Sequence, residues 1–179
     1  MEPIISLPFS EYSAINQIVK YLKKSEGYSV FVPTSRQQKG IDFIIYNSLS
    51  HKTVSVQVKS SRTYTRGGVN YLWFNNFINK YNEGNADFYL LFGLYPKYNL
   101  QQNIRKGDFW SPIILIYSEK EMFDFMRQVV TKKSGNPDKF FAFGFDLPSK
   151  IHCSRGPDDY DVTRHLLKNQ IESVKSLLS

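Results

Sequence analysis

Two short apolar segments follow one another in the chain, and each carries polar side chains at a fixed spacing. The first is Gly40–Tyr46, and in the second, Thr53–Lys59, valines alternate with polar residues. Side chains on a strand alternate between its faces, so Gln57 and Lys59 point the same way, about 7 Å apart. Asp42 lies inside the first apolar run, where a carboxylate is costly without a partner or a metal. Paired as a hairpin, the two strands bring an acid, an amide oxygen and an ammonium to one surface.

Composition places the chain among folded proteins with a single core. Its 179 residues suit one domain, taken as 1–179, and 41% hydrophobic residues exclude a disordered chain. No apolar run is long enough to cross a bilayer, and the first eight residues do not form a secretory signal, so a cytoplasmic protein is expected. The single Cys153 excludes a disulfide framework, and His51, His152 and His165 lack metal-ligand spacing.

The charge balance favours polyanionic partners. The chain has 23 lysines and arginines against 16 acidic residues, for a formal net charge of +7. An excess of this size attracts nucleic acid but says nothing about the fold.

Helical spacing of apolar residues predicts three helices. The first begins with Ser10 as its N-cap and ends at Gly27, and Glu11 lies in its first turn. A second helix covers 118–130, with Ser118 and Glu121 three residues apart as a capping box. The last helix starts near Asp161.

The intervening segments predict strands and loops. The residues of 60–68 are polar, basic and glycine-rich and predict a flexible loop, and 71–81, rich in aromatics and asparagines, predicts an irregular or short helical segment. An exposed turn is expected over 95–108. The predicted strands are 28–32, 41–46, 53–59, 87–95, 112–117 and 140–146.

The order of these polar residues resembles the PD-(D/E)XK nuclease superfamily. That family places an acid on one strand and a carboxylate-X-lysine on the next, and here Asp42 is followed by Gln57-Val58-Lys59. A minority of the family has an amide in place of the carboxylate. The family also places a glutamate on the preceding helix, where this chain has Glu11. The similarity covers roughly residues 9 to 62.

The resemblance implies a fold and a site. The fold would be a single α/β domain with a restriction-endonuclease-like core, in which helices flank a central mixed sheet. The cofactor would be Mg²⁺ (or Mn²⁺), since oxygen donors suit it. Asp42 would be the principal ligand, with the Gln57 amide, the Val58 carbonyl and Glu11 through a water, and Lys59 would orient the attacking water.

The same resemblance implies a DNA substrate. The expected activity is a divalent-metal-dependent endonuclease of the restriction, homing or mobile-element defence type. Its partner would be double-stranded DNA, and a double-strand cut by one site per chain requires two copies, which makes a homodimer the candidate assembly. Four basic residues next to the hairpin are the expected phosphate contacts: Arg36, Lys39, Arg62 and Arg66.

Other interpretations of these residues remain open. Asp42, Gln57 and Lys59 also suit the solvated face of an ordinary hairpin, Glu11 also suits a helix N-terminus, and 60–68 also suits a solvated loop. Gln57 removes one negative charge, which weakens binding of the free metal. A catalytically inactive nuclease fold that binds nucleic acid is therefore the alternative function, and a protein-interaction domain with an incidental basic surface is a third.

Overall fold

A computed structural model describes residues 9–33, 40–78, 85–96, 110–130, 134–156 and 161–179. Helices flank a mixed sheet, as the sequence predicts. Short 3₁₀ turns occur at Lys24–Glu26 and Thr163–His165. The main elements are α1 (Phe9–Ile18), β1 (Tyr28–Phe31), β2 (Phe43–Asn47), β3 (Lys52–Arg66), β4 (Val69–Asn75), β5 (Phe88–Pro96), β6 (Trp110–Ser118), α2 (Glu119–Gln128), β7 (Phe140–Phe145), β8 (His152–Arg155) and α3 (Leu167–Leu178).

The long strand β3 joins two parts of the sheet. Its first part pairs antiparallel with β2 and parallel with β5, and β1 and β6 extend this part on either side. Its last residues pair antiparallel with β4, which continues to β7 and β8. The described strands thus form one mixed sheet that changes neighbours along β3.

Two cores cover the two faces of the first part of the sheet. The first core lies under α1 and α3 and includes Ile18, Val56 and Leu90. The second core lies on the other face, where α2, β4 and β7 pack, and includes Leu91 and Phe143. Because neighbouring residues of a strand face opposite cores, the position of a side chain along β3 decides which layer it meets.

The predicted helices exist, but two of them are shorter than expected. α1 ends at Ile18, and Gly27 at φ 84° ends the 3₁₀ turn that follows rather than the helix itself. Ser10 lies inside α1 and not at its N-cap. α3 begins at Leu167 instead of near Asp161. The predicted capping box of α2 is confirmed, since the hydroxyl of Ser118 and the carboxylate of Glu121 bond each other's backbone N–H.

Two loop predictions were wrong. Residues 60–66 continue β3, and the turn is confined to Gly67 and Gly68, which both have positive φ. Residues 69–75 form β4 rather than an irregular segment. Asn70 is buried and accepts a hydrogen bond from the hydroxyl of the exposed Thr65, so a polar side chain occupies a buried position that the alternation of apolar residues does not reveal. β8 was not predicted. The expected turn over 95–108 lies mostly outside the described residues.

None of the helices that the structure describes has the length and hydropathy needed to span a membrane.

A buried histidine gives the fold a testable pH dependence. His165 is fully buried, stacks on Tyr117 at 3.8 Å between ring centroids, and its Nδ1 lies 3.0 Å from the carbonyl oxygen of Ile116. Its Nε2 accepts a hydrogen bond from Nε of Arg164, which indicates a neutral ring. Burial lowers the pKa of His165, and Arg164 adds to this, while the Ile116 carbonyl and Glu121 oppose it.

We expect the free energy of unfolding to fall as the pH is lowered through 6.5, the ordinary pKa of histidine. Below that pH the unfolded chain binds a proton that the native ring resists, at up to about 1.4 kcal/mol per pH unit. His165→Gln should remove this slope in chemical denaturation between pH 8 and 5. The exposed His152, changed to Gln, is the matched control. An identical slope in the His165→Gln variant contradicts the assignment.

Candidate active site at the open edge of strand β3

The candidate site lies where β3 changes partners. The ladder with β2 ends at the pair Phe43–Val56, and the ladder with β4 begins at Thr63–Leu72. Between them, residues 57–62 have no described strand partner on this edge, although β5 pairs with them on the other. We call residues 57–62 the open β3 edge. Backbone groups at such an edge are available to side chains or ligands.

Asp42 closes one end of the open β3 edge. It directly precedes β2, and its backbone N–H donates to the carbonyl of Val56 at 2.9 Å. Its carboxylate oxygen Oδ2 accepts the backbone N–H of Val58 at 2.6 Å. Gly40, at φ 95°, allows the tight approach of the chain beside Asn85. The carboxylate thus takes the place that the next residue of a strand would have occupied.

Gln57 and Lys59 lie on the second-core face of β3. They stand beside Tyr89 and Leu91 of β5, whereas Val58 stands beside Leu90 of the first core. The alternation expected from the sequence is therefore present in the strand. Asp42 lies just beyond the last β2–β3 pair, and its two hydrogen bonds to β3 go to Val56 and Val58, the residues on either side of Gln57.

Lys59 is held in a partly apolar environment. Its Nζ lies 5.2 Å from the centroid of the Phe77 ring, and that ring stacks on Tyr89 at 5.6 Å. Burial lowers the pKa of Lys59, and the negative charge of Asp42 acts in the opposite direction. Asp42 is therefore near enough to Lys59 to influence its protonation. Burial also raises the pKa of Tyr89 to about 12, with a further contribution from Glu119.

The oxygen donors at this edge suit a hard cation. The N–H and C=O of a strand residue point to the same side, so the carbonyl of Val58, like its N–H, faces Asp42. One carboxylate, one amide oxygen and one carbonyl are ligands that Mg²⁺ accepts. Within the described ranges, no three histidine, cysteine, aspartate or glutamate side chains come together around a metal position. A site here would depend on neutral oxygens.

Glu11 belongs to the opposite layer of the molecule. It lies in the first turn of α1, half-buried, one turn before the buried Ala14. α1 covers the first core, whereas Gln57 and Lys59 face the second. A role for Glu11 at the site requires its carboxylate to pass through the open β3 edge.

The predicted phosphate contacts are only partly visible. Arg36 and Lys39 lie outside the described residues. Arg62 pairs through its backbone with Leu94 of β5, and its side chain also lies outside the description. Arg66 is exposed at the end of β3, in a strand and not in the flexible loop expected from the sequence. The sequence identified Phe77 as part of the aromatic segment 71–81 but not as a site residue, although it contacts Lys59 in the structure.

Comparisons with known proteins find a likeness in structure and none in sequence. The sequence matches no protein-family model and no curated protein. Among solved structures, the chain is similar to a bacterial homing endonuclease, with 15% sequence identity and a TM-score of 0.45, over 93% of this chain and 93% of that chain.

Proposed function

We propose that this protein is a divalent-metal-dependent endonuclease that hydrolyses phosphodiester bonds of DNA, with a site of the PD-(D/E)XK type. The observation that supports the proposal is that Asp42 accepts the N–H of Val58, between Gln57 and Lys59 on the open β3 edge, and that its charge acts on Lys59. A carboxylate, a neutral oxygen and a lysine of lowered pKa in one place are typical of hydrolytic sites.

The residues would share the work as follows. A bound Mg²⁺ or Mn²⁺ supplies charge to polarise the phosphate and to acidify a water. Asp42, Gln57 and the carbonyl of Val58 hold that cation, and Glu11 contributes through a water if its carboxylate reaches the edge. Lys59 would orient the attacking water and accept or stabilise its proton, a role that a lowered pKa favours.

DNA is the proposed partner because the chain carries a formal net charge of +7 and an exposed arginine, Arg66, on the strand that bears the site. Arg36, Lys39 and Arg62 are proposed as further phosphate contacts. A cut through both strands of a duplex requires two sites, so a homodimer on double-stranded DNA is the proposed working assembly. The proposed endonuclease is of the restriction, homing or mobile-element defence type.

Cleavage of supercoiled plasmid tests the proposal. With Mg²⁺ or Mn²⁺ we expect conversion to nicked and linear DNA, and with EDTA no conversion. The Lys59→Met protein, purified in the same way, controls for contaminating nuclease. Intact plasmid under every divalent cation, and equally intact RNA, would count against a nuclease.

One observation favours the alternative of a catalytically inactive nucleic-acid-binding module. The carboxylate of Asp42 already accepts the N–H of Val58, which is a structural role that needs no metal. That module binds DNA with a steep dependence on salt but leaves it uncut.

The substitution Gln57→Glu separates a working metal ligand from a bystander. It restores the carboxylate of the commoner family pattern, so we expect the apparent affinity for Mg²⁺ to rise about 10-fold or more, as changes of one ligand do. Activity should then reach half its maximum at lower Mg²⁺. Titration calorimetry and cleavage against Mg²⁺ concentration measure the two effects.

The matched control is Gln170→Glu, which makes the same charge change on α3, away from the site. If both variants shift the metal dependence equally, the effect comes from net charge. If neither does, Gln57 is not a ligand.

A further inference from the structure

A groove of about 940 Å³ lies on the face of β3, β4, β7 and β8 that points away from the second core. It is distinct from the proposed catalytic residues, and the described residues that line it include no acidic side chain. Its lining carries four aromatic rings and two arginines: Tyr64, Tyr71, Trp73, Phe140, Arg66 and Arg155.

The strand register explains why this face is concave. Trp73 stands opposite Ala142, and Tyr71 stands opposite Gly144, so small side chains of β7 lie between larger neighbours. A Cβ on Gly144 would come within 2.7 Å of Nε2 of His152 and 3.2 Å of the Tyr71 ring. A side chain at position 144 would have to displace the rings of His152 and Tyr71, so glycine keeps this part of the face low and the large rings stand at the sides of a depression.

Three of the aromatic rings that line the groove are exposed. The exposed fractions are 60% for Tyr64, 38% for Trp73 and 41% for Phe140. Three such rings on adjacent strands form a contiguous apolar surface, and surfaces of this kind mark places where something binds. The inward side chains of the same strands, including Leu72 and Phe143, already supply the core, so the exposed rings are not needed for it.

The Trp73 ring has a fixed polar neighbour. The guanidinium of Arg155 lies 5.2 Å from the Trp73 ring centroid. Asp138 holds this guanidinium with two hydrogen bonds, of 3.0 and 3.1 Å, and those bonds lower the pKa of Asp138. The ring is thus positioned in advance with a cation over one of its faces, which leaves the other face for a base, while Arg66 adds a second, exposed positive charge.

The groove begins at the candidate active site. Ser60 and Ser61, which line one end, directly follow Lys59 within the open β3 edge. Lys59 faces the second core and the groove lies on the other face, so a single strand that occupies both must pass through the open β3 edge, between the ends of the β2 and β4 ladders.

We propose that this groove binds unpaired nucleotides by stacking their bases on Trp73, Tyr64 and neighbouring rings, with Arg66 on the backbone. The substrate class is then DNA with a single-stranded segment next to the bond that is cut. The proposal that the groove binds unpaired nucleotides depends only on the groove itself. The proposal about the DNA substrate rests on the proposed nuclease function. Ring faces recognise any base that is free of its partner. A closed duplex offers only phosphates and groove edges, for which exposed arginines and amides suffice.

Binding of an oligothymidylate of about 12 nucleotides, within the size range of single-stranded binding grooves, tests the proposal. A hairpin duplex of the same length is the comparison, and both are measured by anisotropy in EDTA. Trp73→Ala should weaken oligothymidylate binding about 5- to 100-fold, the range for losing one stacked base, and duplex binding less than about 2-fold. Trp73→Phe, which keeps a ring, should retain most of the affinity.

The chain offers a matched control in Trp110, which is also exposed on a strand but does not line the groove. Trp110→Ala should leave both affinities unchanged, and in that variant oligothymidylate should quench the remaining fluorescence of Trp73. Thermal unfolding verifies that each variant is folded, and Trp73→Leu replaces Trp73→Ala if the latter is not.

Three results overturn the proposal: equal losses for oligothymidylate and duplex, no loss for either, or a change of oligomeric state in Trp73→Ala, which would make the groove a protein interface. The nuclease proposal fails separately. A protein that never cuts plasmid but shows selective loss and Trp73 quenching still has the binding groove. Conversely, the protein is a nuclease without a nucleotide-binding groove if two results are found together. Trp73→Ala cuts duplex with unchanged efficiency, and the protein binds oligothymidylate no better than duplex.

Discussion

Asp42→Asn is expected to reduce DNA cleavage by at least about 10²- to 10³-fold, the loss that follows removal of one charge-stabilising group from an active site. The amide keeps a carbonyl oxygen that can accept the N–H of Val58, so the local backbone arrangement should persist. Only the charge that holds a cation and acts on Lys59 is removed. Initial rates on supercoiled plasmid at saturating Mg²⁺ measure the effect, and a fully active Asp42→Asn protein contradicts the proposed site.

Asp42→Ala provides the structural comparison. From the sequence, its removal is expected to leave stability intact or raised, because an unpaired buried carboxylate is a cost. The hydrogen bond to Val58 changes that expectation, since alanine leaves the N–H without this acceptor. We therefore expect Asp42→Ala to lower the free energy of unfolding by about 1–3 kcal/mol and Asp42→Asn to lower it less. Both should lack cleavage, and equal stability of the two variants shows that the Val58 bond contributes nothing.

Lys59→Met is expected to reduce cleavage by about 10²- to 10⁴-fold, the usual contribution of a proton-transfer group. The free energy of unfolding should not fall along with the activity. Because burial lowers the pKa of Lys59, the native state binds this proton less tightly than the unfolded chain does, and the charged ammonium disfavours folding at neutral pH. The free energy of unfolding at pH 7 should thus be unchanged or higher in Lys59→Met.

The pH dependence gives this prediction a second measurement. In the wild type, unfolding free energy should rise as pH increases between the lowered pKa of Lys59 and its ordinary value of 10.5, since the native chain loses the proton first. Lys59→Met should lack this rise. Lys168→Met, on the exposed side of α3, is the matched control and should keep both the rise and the activity. A marked loss of stability at pH 7 in Lys59→Met would show that its contact with Phe77 or Asp42 outweighs its burial.

Local patterns predicted the elements whose information lies within a few residues. The valine alternation of 53–59 predicted the first part of β3, and the serine and glutamate three residues apart predicted the start of α2. Residues 60–75 were harder to predict as strands from the sequence, because serine, threonine and asparagine occupy inward positions there. Ser61, for example, uses its hydroxyl to accept the N–H of Trp73. Pairing with β5 and β4 makes these residues a strand, and that pairing depends on distant sequence.

The sequence by itself determined which side chains share a face. Gln57 and Lys59 must point the same way once the segment is a strand, because alternation is a property of the extended backbone. Only the tertiary structure decided which residues surround Gln57 and Lys59. Strand register brought Asp42 to the N–H of Val58, and the docking of residues after β4 placed Phe77 over Lys59. Helix packing set Glu11 in the layer across the sheet from them. Contacts between segments far apart in the chain determine these arrangements, and no local spacing encodes them.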